Sequence, residues 1–92
     1  MREITLTLRN QVGLHARPAA LFVQAAKNFE STINVCKDDR AVDAKSILSV
    51  LTLGAESGAV ITIRAEGDDE DLAIAGLQKL IESNFGEAHA SA

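Results

Sequence analysis

The spacing of hydrophobic residues changes period along this chain, and each change limits what it can fold into. Residues 3–8, EITLTL, alternate: Ile4, Leu6 and Leu8 share one face, Thr5 and Thr7 the other. That is the pattern of a half-buried strand. A loop over residues 9–15, containing Gly13, follows. The period then switches to that of a helix. Ala19, Phe22, Val23, Ala26 and Phe29 recur at spacings of three and four, so they line one stripe of a helix over residues 16–29. Pro18, the only proline, belongs in the first turn, where its missing N–H costs nothing, and it places the helix start at about residues 15–17.

The remaining stretches follow the same logic. STINVCKDDRAVDA reads as two short strands around an Asp38–Asp39 turn, with Ile33 and Val35 pointing one way. In KSILSVLTLG, Ser46 is a good N-cap and Gly54 ends a short helix. AVITIRAEG alternates again, with Ile61, Ile63 and Ala65 on one face. DDEDLAIAGLQKLIESNFG reads as an acidic-headed helix. Asp68 to Asp71 supply its caps and dipole-matched charge, and Ala73, Ile74, Leu77, Leu80 and Ile81 its buried stripe. The order βαββαβα predicts an α+β fold in which helices cover one face of a mainly antiparallel sheet and leave the other face wet. One domain over residues 1–92 is expected, with residues 88–92 of the small, polar tail frayed.

Composition narrows the function. With 92 residues, 47% hydrophobic and 24% charged, the chain has ordinary globular composition. Its net charge of −4 excludes a chain-wide basic footprint for nucleic acid, and three Phe without Trp or Tyr provide no base-stacking platform. One cysteine, Cys36, allows neither an internal disulfide framework nor a multi-cysteine zinc site. Cys36 is expected to pack in or beside the sheet as a small apolar residue. A free thiol fits a reducing compartment, and no stretch suits a signal peptide or membrane insertion, so a cytoplasmic protein without metal or cofactor is expected.

The chemistry concentrates in residues 13–20, GLHARPAA. A helix start carries unpaired N–H groups and roughly half a unit of positive charge, so it suits an anion. Arg17 adds a planar, permanently charged donor fork. A neutral imidazole at His15 is a competent nucleophile for phosphorus. Phosphoryl transfer asks mainly for positioning and charge stabilisation. His15, Arg17 and Pro18 thus bring a nucleophile, a cation and a preset helix start within four residues. Taken alone, a histidine at a helix start is more often a plain surface residue or cap, and spacing by itself names no reaction.

GLHARPAA, with DAKSILSVLTLGAESGAVITI further on, closely resembles the HPr family, the histidine-containing phosphocarriers of the bacterial sugar phosphotransferase system. The resemblance spans roughly residues 2–87. It implies an open-faced β-sandwich: a four-stranded antiparallel sheet in order 1-4-2-3 with three helices on one side. It implies that His15 takes a phosphoryl group from phospho-enzyme I at Nδ1 and gives it to enzyme IIA of a sugar transporter, with Arg17 contacting the phosphoryl group. Such a carrier is itself modified and is no enzyme alone. The resemblance also makes Ser46 a regulatory phosphorylation site for an HPr kinase/phosphorylase, and a catabolite control repressor a further partner; the plain reading of Ser46 is a helix cap. Val12 stands where many relatives have a small polar residue, so a hydroxyl contact there is lost.

Ile47, Leu48 and Leu51 cannot all face the core from one short helix. They are candidates for an exposed apolar patch that meets enzyme I and enzyme IIA. Arg17, with Arg9, Lys27 and Lys45, is expected to give a local basic rim that speeds transient docking. A carrier that docks successively on several enzymes should be monomeric. The competing classes are a regulatory adapter or nitrogen-related relay on the same fold, and an unrelated small binding domain. The last fits poorly, lacking both sheet-face aromatics and a cysteine pair. His89 receives no role.

Overall fold

The computed structural model describes residues 1–86. His89 and the tail segment 88–92 lie outside the described residues. Four strands, β1 (Arg2–Thr7), β2 (Thr32–Lys37), β3 (Arg40–Asp43) and β4 (Val60–Glu66), form one antiparallel sheet in the order β1-β4-β2-β3. Three helices, α1 (Ala16–Lys27), α2 (Ile47–Thr52) and α3 (Glu70–Glu82), complete the α+β open-faced sandwich. A short 3₁₀ turn, Asn84–Gly86, follows α3.

The register explains why one sheet face is covered. Leu6 pairs with Ile61, and Ile4 pairs with Ile63, which in turn faces Val35. These residues share a face, and Ile33, Val35, Ile61, Ile63 and Ala65 are fully buried under the helices. Phe22 of α1 and Leu77 of α3 descend onto them, each such side chain contributing about 1.5–3 kcal/mol of burial. On the opposite face, the Thr5 and Thr62 hydroxyls share a 2.9 Å hydrogen bond, and Arg64 meets Glu3 at 3.0 Å. Cys36 pairs with Thr62 and Ala41 on this outer face and is only 9% exposed, packed beside the sheet as its apolar character suggests.

Two boundaries differ from the sequence expectation. α1 stops at Lys27, and Phe29 packs against the core from outside the helix. Asn28 and Phe29 donate back to Ala25 and Ala26, a tightened i−3 pattern that closes the helix. At α3, Asp69 is the N-cap residue, yet its side chain does not cap. Its carboxylate instead accepts from the Glu30 and Ser31 backbone amides and the Ser31 hydroxyl. It therefore ties the start of α3 to the turn between α1 and β2. Leu80 is half-buried at the edge of the predicted stripe.

Candidate functional site

The loop before α1 is held at several points. Leu8 donates to Ala59 at 2.9 Å, and Gly58 donates to Leu8 at 2.7 Å. Leu14 donates to Ala55 at 2.8 Å. Gly13 has φ +66°, and a methyl group there would stand 2.4 Å from the Ala55 carbonyl oxygen. Only glycine meets both conditions. The loop is thereby pressed against residues 55–59, and His15 emerges from it.

His15 occupies the N-cap of α1, with extended backbone angles (φ −115°, ψ 158°), and its side chain caps nothing. The ring is exposed. Its carbonyl accepts from Ala19 at 3.3 Å, the first bond of the helix. Pro18 is buried and has no N–H to offer. Among the described residues, the N–H groups of Ala16 and Arg17 therefore remain as the unpaired donors of this helix end, with the positive pole of a 12-residue helix behind them. Ala16 has φ +38°, a left-handed value that a side chain resists. Strain is thus stored beside the imidazole. The Arg17 side chain is exposed and enters no ion pair among the described residues. A shallow depression beside the ring is lined by Gln11, Val12, His15, Glu56 and Ser57. Val12 contributes an exposed apolar surface there and no hydroxyl.

The family model described as "PTS HPr component phosphorylation site" matches residues 2–83. The chain belongs to the HPr family of phosphotransferase-system phosphocarriers. The phosphocarrier protein HPr of Xylella fastidiosa is 42% identical over 87 residues, covering 95% of this chain and 98% of that one. HPr of Thermoanaerobacter tengcongensis, a crystal structure, superposes with a TM-score of 0.94 at 54% identity, covering 97% of this chain and all of that one. The catabolite-repression protein Crh of Bacillus subtilis, a domain-swapped dimer, superposes with a TM-score of 0.73 at 38% identity, covering 91% and 97%.

The other residues singled out in this HPr-family chain fall elsewhere. Ser46 is the N-cap of α2, and its hydroxyl oxygen accepts from the Ser49 N–H at 3.3 Å. In α2, Val50 is buried, whereas Ile47, Leu48 and Leu51 are 38%, 74% and 38% exposed. An apolar strip thus faces outward. α2 runs along α1, with Ile47 beside Lys27 and Gln24 and the far end leading to Ala55 under the His15 loop. Arg40 fixes that end by donating to the Thr52 hydroxyl at 3.2 Å and to its carbonyl.

Two of the cations expected in a basic rim stand by α2, since Lys27 lies beside Ile47 and Lys45 immediately precedes Ser46. Lys45 donates to the Phe29 carbonyl at 2.7 Å, and Lys27 sits in the last turn of α1, ~18 Å from His15 at 1.5 Å per residue. Arg9 lines a groove between β1 and the end of α3. Of the four cations, Arg17 is the nearest to His15 in the chain. The sequence reading missed Asn10, a buried amide that donates to the Gly13 carbonyl at 2.8 Å. An Asn three residues before a Gly is a common turn pattern, so its burial left no signal in the sequence.

Proposed function

We propose that His15 accepts a phosphoryl group from phospho-enzyme I and passes it to enzyme IIA of sugar transporters. One observation carries this reading: an exposed imidazole that caps nothing, placed where the Ala16 and Arg17 amides have no partner among the described residues. A phosphoryl group on the ring finds two backbone donors, the positive helix end and the Arg17 guanidinium within reach of one short segment. These favour the phosphorylated form, and the two backbone donors need not reorganise as charge arrives. Histidine Nδ1 attacks phosphorus as its bond to the donor group of enzyme I breaks, and attack by the acceptor group of enzyme IIA then delivers the phosphoryl group onward. The chain turns over no substrate alone, needs no metal or cofactor, and works as a cytoplasmic monomer formed by one domain.

Ile47, Leu48 and Leu51 form the docking strip for both enzymes. Ser46 is the regulatory site, modified by an HPr kinase/phosphorylase. A phosphate there adds about two negative charges next to that strip, which weakens docking on enzyme I. The similarity to Crh supports a second use, in which this phosphorylated surface binds a catabolite control repressor. A two-step relay tests the main reading. Chain labelled with ³²P by enzyme I and phosphoenolpyruvate should lose its label to a purified enzyme IIA domain. Label that stays on the chain with every enzyme IIA offered contradicts the carrier role.

A further inference from the structure

Asn10 is 2% exposed, and its Nδ2 donates to the Gly13 carbonyl at 2.8 Å. Its Oδ1 is buried without a partner among the described residues. Reversing the amide would set Oδ1 against the Gly13 oxygen, acceptor against acceptor, so the assigned orientation is the one that makes a bond. An unpaired buried acceptor opposes folding, so packing alone would favour an apolar residue here. What the amide supplies is its donor. The Gly13 carbonyl and the Leu14 N–H are the two ends of one peptide unit, and that unit is planar. Asn10 holds one end, and the Ala55 carbonyl holds the other at 2.8 Å. Leu14, the next side chain, is buried. The orientation of the chain entering His15 is therefore fixed two bonds before the residue that carries the exposed ring.

We propose that Asn10 is a positioning residue for phosphoryl transfer at His15, clamping the Gly13–Leu14 peptide so that the imidazole is presented in line with the incoming phosphorus. The inference rests on the carrier reading above. It requires no contact between Asn10 and the phosphoryl group, and it acts through geometry, to which in-line transfer is highly sensitive.

The test measures single-turnover transfer from phospho-enzyme I to the full chain and to Asn10→Ala, over a range of enzyme I concentrations. The saturating rate should fall about ten- to a hundred-fold. The half-saturating concentration should stay within about two-fold, because the docking strip on α2 is untouched. Amide exchange at Leu14 should accelerate while that at Ile63 in the sheet is unchanged. A folded variant whose saturating rate matches wild type, or whose loss lies wholly in the half-saturating concentration, overturns the proposal. If Asn10→Ala does not fold, the similarly sized Asn10→Leu, which has no donor at any pH, serves with the same expectations. The unmodified chain adds an independent check: Asn10 side-chain amide protons that exchange as fast as an exposed amide also overturn it. Failure of wild type to take up phosphate contradicts the carrier reading instead. Uptake by wild type with an unimpaired Asn10→Ala contradicts the positioning role alone.

Discussion

Adding one methyl at Gly13 probes how the site is built. In Gly13→Ala the new Cβ meets the Ala55 oxygen at 2.4 Å in a left-handed backbone conformation. The expected result is a loss of more than about 2 kcal/mol in chemical denaturation, together with slower phosphate uptake as the loop lifts. Arg17→Ala should behave differently. Its side chain is exposed and makes no ion pair among the described residues, so stability should stay within about 0.5 kcal/mol while transfer slows. An unchanged transfer rate in Arg17→Ala would remove the guanidinium from the account. His15, Arg17 and Pro18 were legible as a group because they are adjacent in sequence and their chemistry does not depend on distant residues. Asn10 and Ala16 were not. The role of Asn10 arises from burial, and that of Ala16 from a φ of +38° that no alanine announces.

Helices and strands were legible where periodicity is long, as in β1, β4 and α3, and less so at their ends. The close of α1 depends on i−3 bonds, and the start of α3 on a carboxylate that reaches 38 residues back to Ser31. That reach has a pH signature. The Ser31 hydroxyl, then the Glu30 backbone amide, hold the Asp69 carboxyl below the ordinary carboxylate range. A depressed folded-state pKa means the stabilisation is complete above the unfolded value. It is lost as pH falls through the lower folded value. Denaturation midpoints should therefore drop below about pH 4, and Asp69→Asn should flatten that part of the profile. An identical acid profile in the variant would show that the clamp contributes nothing. On α2, Leu48→Asp changes a side chain that is 74% exposed. Stability should shift by no more than about 0.5 kcal/mol, while the enzyme I concentration needed for half-maximal transfer rises several-fold. An unchanged concentration would place the docking surface elsewhere.

Across the whole molecule, the element order made the covered sheet readable, and the resemblance supplied the 1-4-2-3 strand order that the pairing registers bear out. The proposed monomer predicts a sedimentation mass near 9.7 kDa that does not rise with concentration, whereas the Crh relative is a swapped dimer. The central claim, that His15 carries the phosphoryl group, is reached most directly by intact mass after incubation with phosphoenolpyruvate and purified enzyme I, for wild type and His15→Ala. One acid-labile phosphate on wild type and none on the variant is the predicted result. An equal phosphate on His15→Ala, or none on a folded wild type across several enzymes I, would contradict it.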